Sequence, residues 1–143
     1  MKASMLLKRQ HREVEKLFAA ALKTENVKTR RQAMENIIKA LEHHTGIEED
    51  IFYPAVREIG TKKAEEMIGE AYEEHHVVKL VLAELPGVDP GADTFEAKMT
   101  VLKELVAHHV EEEEKEMFPM AERRLGEERS AELAEQMAGP KAA

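Results

Sequence analysis

Apolar residues recur along this chain at alternating steps of three and four, the spacing of a helix that buries one face. Over residues 4–23 the stripe is Leu7, His11, Val14, Phe18 and Ala21, with Ser4 expected as the N-cap. The polar stretch Lys23–Thr29 reads as a connection. A second helix is expected from near Arg30, with Met34, Ile37, Leu41, His44, Glu48 and Ile51 on one face. Pro54 should kink or end it, because proline lacks the N–H that continues a helix. A third helix is expected from Lys62 to Leu85, with Ile68, Tyr72, His76, Leu80 and Ala83 in register, stopped by Pro86-Gly87. Capped by Asp93 or Thr94, a fourth carries Met99, Leu102, Val106, His109, Glu113, Met117 and Met120, with a second kink at Pro119 and an end at Gly126. A short fifth helix is expected over Ser130–Met137, followed by a tail over Gly139–Ala143.

Nothing reads as a strand, so the fold class is all-α. Four long amphipathic segments with short connections predict an up-down-up-down four-helix bundle over residues 1–126, with residues 127–143 as an appended helix and tail. The two halves also resemble each other. HHTGIEEDIFYP at 43–54 and HHVEEEEKEMFP at 108–119 superpose with an offset of sixty-five residues. That shift relates His44 to His109, Glu48 to Glu113 and Tyr53 to Phe118, and it carries His11 onto His76. A repeat spanning two helices implies approximate two-fold symmetry in the bundle.

The composition narrows the chemistry. There are 143 residues, 35% of them charged, with a net charge of −8 and no cysteine. Zinc fingers, iron–sulfur ligation and thiol catalysis are excluded, and the acidity disfavours nucleic acid and anionic membranes as partners. The N-terminal apolar run is too short for a signal peptide and no stretch reads as transmembrane, so a cytoplasmic protein is expected, monomeric or homodimeric.

All seven histidines fall in four clusters, one near the middle of each expected helix. Adjacent residues on a helix point about 100° apart, so one of each doublet continues the core stripe. On the second and fourth helices these are His44 and His109. Their i+4 partners, Glu48 and Glu113, lie on the same face about 5–6 Å away between Cβ atoms. Carboxylates on a buried stripe are costly unless paired or metal-bound, and no lysine or arginine shares these stripes. The candidate ligands are therefore His11, His44, Glu48, His76, His109 and Glu113, enough for two metal ions. Glu112 with His108 is the competing pair on the fourth helix. His43, His75 and His108 are read as flanking donors or exposed side chains, and the run Glu111–Glu114, Glu113 apart, as mostly solvated.

The order of one histidine, an H-x-x-x-E pair, one histidine and a second H-x-x-x-E pair, trailed by FYP and MFP, resembles the hemerythrin-like HHE cation-binding domains over residues 4–124. The resemblance implies a non-haem di-iron centre bridged by the two carboxylates and an oxo or hydroxo group; manganese or zinc remains open on ligand types alone. It implies a small-molecule ligand: O2, hydrogen peroxide or NO. Oxygen carriers of the family have a fifth histidine where this chain has Tyr72. Two six-coordinate ions offer about twelve positions, of which the six residues and a bridging oxygen fill roughly ten. The open positions, or a phenolate from Tyr72, favour catalase-like peroxide chemistry; a reversible O2 or NO store or sensor, and a structural metal bundle, are the alternatives. Tyr72 is also read as a core aromatic hydrogen-bonded beside the site. Tyr53 becomes a further candidate if the helix is distorted at Pro54.

Overall fold

The computed structural model of the chain describes residues 1–139. Helix α1 spans Ala3–Leu22, α2 Val27–Ile47, α3 Tyr53–Arg57, α4 Lys62–Glu84, α5 Asp93–Glu112 and α6 Phe118–Ala138. A π-turn at Glu48–Phe52 joins α2 to α3, and another at Glu113–Met117 joins α5 to α6. The chain thus forms the four antiparallel rods of a helical bundle, and the described residues contain no strand.

The buried positions of α1 are Leu7, His11, Val14, Phe18 and Ala21, together with Ala3 and Ser4 at its start. Ser4 is not the N-cap. Lys2 takes that position without a side-chain bond, and the backbone N–H groups of Ala3 and Ser4 are instead satisfied by Ser130 Oγ and Glu122 Oε1 from α6. Asn26 and Thr61 cap α2 and α4 through their side chains, whereas the N-cap of α5 is Ala92, which has no side-chain bond to offer, and neither Asp93 nor Thr94 takes that position. α6 breaks at Gly126, whose φ of 84° suits a residue without Cβ, and helix resumes to Ala138. The part of the expected tail beyond Gly139 lies outside the described residues.

The register of α4 differs from expectation. Its buried residues are Ala64, Ile68, Ala71, His75, Val78 and Leu82, while His76 is exposed and Leu80 is 54% exposed. Tyr72, His76 and Leu80 form an equally periodic stripe, but the small Ala64 and Ala71 are what the bundle turns inward.

Two apolar clusters flank the histidines. One contains Leu7, Phe52, Tyr53, Val56, Ile68, Met117 and Phe118. The other contains Val14, Phe18, Ile37, Leu41, Val78, Leu82, Phe95, Met99 and Leu102. Truncating one of these large side chains to Ala costs about 2–5 kcal/mol. Between the clusters lies one polar layer, and every rod contributes to it.

Both π-turns have the same local cause. Proline has no N–H to donate to the carbonyl four residues back, and its ring crowds that carbonyl. Widening the preceding turn to i→i+5 relieves this: Tyr53 N–H bonds Glu48 O before Pro54, and Phe118 N–H bonds Glu113 O before Pro119. Residues five apart then return to one face, so Glu48 and Tyr53, and Glu113 and Phe118, all point inward.

Candidate metal centre

Each rod places one imidazole in the polar layer. His11 and His44 have ring centroids 4.8 Å apart, and His75 and His109 likewise stand at 4.8 Å. Glu48 and Glu113 lie between the two pairs. Glu48 Oε1 is 3.2 Å from His44 Nε2 and 3.1 Å from His75 Nε2. Glu113 reaches His11 Nε2 through Oε1 at 3.2 Å and His109 Nε2 through Oε2 at 3.3 Å. Each carboxylate therefore touches one imidazole of each pair, the disposition of a bridging ligand.

The outer nitrogen of every ring is anchored. His11 Nδ1 donates to Glu114 Oε2 at 2.7 Å and His75 Nδ1 to Glu49 Oε2 at 2.8 Å. His44 Nδ1 donates to Gln10 Oε1 at 2.6 Å and His109 Nδ1 to Glu74 Oε1 at 2.7 Å. These acceptors hold a proton on Nδ1 and turn each Nε2 inward as the basic atom, the tautomer metal-ligating histidines need. Glu114 and Glu49 are themselves paired, with Arg12 and Lys79.

The symmetry is tighter than the sequence offset suggests. The residue after each central glutamate orients the single histidine, and the residue before each single histidine orients the histidine of the H-x-x-x-E pair. Gln10-His11 corresponds to Glu74-His75 with an offset of sixty-four, whereas α2 and α5 follow sixty-five. One residue of difference turns a helical side chain by about 100°. This is why His76, expected as a ligand, lies on the outer surface and His75, expected to flank the site, lies inside it. Glu114, grouped with the solvated acidic run, in fact holds His11. The anchors Gln10, Glu49, Glu74 and Glu114 were missed, although the doublets Glu48-Glu49 and Glu113-Glu114 were a visible signal.

The remaining expectations sort by position. His43 is exposed, and His108 is 66% exposed and pairs with Glu112 at 3.0 Å, so the competing pair faces outward. Tyr72 does not enter the layer. Its hydroxyl bonds Glu49 O at 3.3 Å and its ring meets the edge of Tyr53. The tyrosine in the layer is Tyr53, carried there by the π-turn. Its hydroxyl donates to Glu113 Oε2 at 2.6 Å and stands 3.2 Å from His75 Nε2 and 3.1 Å from His109 Nε2. The related Phe118 has no hydroxyl and stacks on His11 at 5.8 Å.

Two groupings of ligand atoms result: His11, His44, Glu48 and Glu113, and Glu48, His75 and His109. Four buried atoms among them, His11 Nε2, His44 Nε2, Glu48 Oε2 and Glu113 Oε1, have no hydrogen-bond partner. Buried polar atoms are ordinarily satisfied, and four orphans converging on one point fit a cation. The electrostatics agree. Burial works to lower the affinity of His109 for a proton, yet the charge of Glu113 and hydrogen bonds that its ring donates to Glu113, Glu48 and Glu74 raise its pKa well above the usual value. Burial opposes the rise at His44 as well, where Glu48 prevails. Glu48 is held well below the carboxylate range, against burial, by His44 and by hydrogen bonds within the cluster. Burial, then the charges of Glu48 and Glu113, push the Tyr53 phenol well up. Without metal, the raised proton affinity of His44 and His109 offsets the charge of Glu48.

Residues 3–121 match the hemerythrin HHE cation binding domain. The chain belongs to that family. As an HHE domain it is also similar to the crystal structure of a hemerythrin HHE cation binding domain-containing protein from Mycobacterium kansasii, with a TM-score of 0.83 and 26% identity over 96% of this chain and 83% of that one. A DNA nickase of Nostoc sp. is 26% identical over 129 residues, 90% of this chain. The HHE chain spans 36% of that relative's length. No helix among the described residues is long and apolar enough to cross a membrane.

Proposed function

We propose that this HHE domain holds two metal ions, iron first, and reacts with a small oxidant such as hydrogen peroxide. One ion would be held by His11 and His44 and the other by His75, His109 and Tyr53, with Glu48 and Glu113 shared between them. When bound, the pair supplies redox chemistry and open coordination positions. The observation carrying this reading is the Tyr53 hydroxyl, directed at both Nε2 atoms of one imidazole pair, while in the other pair His11 stacks on Phe118. The fifth nitrogen donor of oxygen carriers would thereby be replaced by a phenol oxygen, which donates to Glu113 Oε2 at 2.6 Å in the metal-free protein and would release that proton to solvent on binding metal. A phenolate is a strong donor that favours the oxidised metal, which supports turnover over reversible binding.

Access is supported by a cavity on the other side of the imidazoles, lined by Val14, Leu41, Val78, Val106 and Val110. Apart from Thr45 and the four histidines its lining is apolar, which suits a small neutral molecule better than a hydrated ion. The same cavity favours a second reading, a reversible O2 or NO store. DNA cleavage is not carried over from the longer relative, because a net charge of −8 repels a phosphate backbone.

The test is oxygen evolution from peroxide by the iron-loaded protein. Turnover well above that of free iron is expected. A reversible optical change on cycling O2, with no peroxide turnover, selects the store.

A further inference from the structure

The repeat provides a comparison inside one chain. The pocket beside α1 and α2 is lined in part by Leu6, Arg9, Gln10 and His43. At the positions related to Leu6, Gln10, His43 and Ile47, the α4/α5 side carries Glu70, Glu74, His108 and Glu112. There, Glu70, Glu74, Glu112 and Glu116 rim a pocket whose buried wall includes His109 and Glu113, and no lysine or arginine lines it. Glu113 is 1% exposed, and its Oε1 is one of the buried atoms without a hydrogen-bond partner. The two pockets differ in charge: Arg9 and one carboxylate, Glu13, line the first, whereas four carboxylates and no lysine or arginine rim the second.

At the acidic mouth a mixed donor set is assembled. Glu74, His108 and Glu112 present ligand atoms within 4.8 Å of one another. His108 Nε2 lies 3.0 Å from Glu112 Oε1 and 3.5 Å from Glu74 Oε2. The other oxygen of Glu74 accepts the Nδ1 proton of His109. One carboxylate therefore connects the surface cluster to a buried imidazole.

We infer that Glu74, His108 and Glu112 form a loading site for a divalent first-row transition cation, which passes from there to His109 and Glu113. Two carboxylates and one imidazole suit such an ion. Exposure to solvent keeps the site weak enough to release it. The surrounding carboxylates raise the local cation concentration, since a cleft of one sign focuses the field. At the repeat-related positions Gln10 and Ile47 offer no charge, and in the pocket beside them Arg9 offsets the one carboxylate, Glu13. The inference rests on the buried metal centre, and its test separates the two.

Metal-free protein is mixed with Co2+ at low ionic strength in a stopped-flow spectrometer, and uptake is followed by the cobalt absorption. His108→Ala and Glu112→Gln should slow uptake by about tenfold, within the range of electrostatic focusing, while the final cobalt content stays at the wild-type level. Glu70→Gln with Glu116→Gln, which removes two rim charges outside the cluster, should also slow it. Glu13→Gln, at the other mouth, should load as wild type does. Added salt should bring wild type toward the variants. Full uptake at equal rates in all proteins, or equal slowing by Glu13→Gln, overturns the loading site alone. A wild-type chain that takes up no Co2+ overturns the buried centre and the loading site with it.

Discussion

The Tyr53 hydroxyl donates a 2.6 Å hydrogen bond to Glu113 Oε2, joining an aromatic residue of the second rod to a carboxylate of the fourth. The contact exists because a π-turn precedes Pro54. In a regular helix Tyr53 would face about 140° away from Glu48. Tyr53→Phe should keep the fold. In the metal-free protein it removes one of two partners of Glu113 Oε2, His109 Nε2 remaining at 3.3 Å, at a cost of about 1–3 kcal/mol. In the ferric protein it should abolish a visible phenolate-to-metal absorption band, read in the optical spectrum. A ferric wild-type protein without that band would sink the tyrosine-ligand reading.

His75 and His76 make opposite predictions. His75→Ala should lose metal from the compartment it shares with His109, measured by elemental analysis after gel filtration. His76→Ala, at an exposed position, should change thermal stability by no more than about 0.5 kcal/mol and leave metal content alone.

The anchors should tune affinity while leaving the fold intact. Glu49→Gln weakens the acceptor for His75 Nδ1, and Glu114→Gln does the same for His11. Each should lower metal affinity by about 10–100-fold, measured by competition with a chromophoric chelator, with the circular dichroism spectrum unchanged.

Stability of the metal-free protein should depend on pH in a defined direction. The folded pKa of His109 is raised, so its contribution is complete below the ordinary value of 6.5 and is lost as pH rises through the raised value. That of Glu48 is lowered, so its contribution is complete above the ordinary value of 4.5 and is lost as pH falls through the lowered one. Denaturant midpoints of the metal-free protein should therefore peak between pH 4.5 and 6.5. The stabilisation added by metal should grow as pH rises, because metal and protons compete for the same Nε2 atoms.

Much of this protein is determined by the sequence alone. The three-and-four periodicity of Leu7, Val14 and Phe18, or of Met99 and Leu102, specifies helices whatever their neighbours, and short connections leave them little choice but an antiparallel bundle. The i+4 spacing of His44 with Glu48 and of His109 with Glu113 puts each pair on one helical face. Only the tertiary structure decided between His75 and His76, because two adjacent stripes of α4 are both periodic, and packing of the small Ala64 and Ala71 against neighbouring rods selects one. It also decided the place of Tyr53, since the effect of a proline on the preceding turn depends on whether the widened turn can bury what it rotates inward. The Nδ1 anchors come from other helices in every case, and contacts between helices leave no periodic trace within either one.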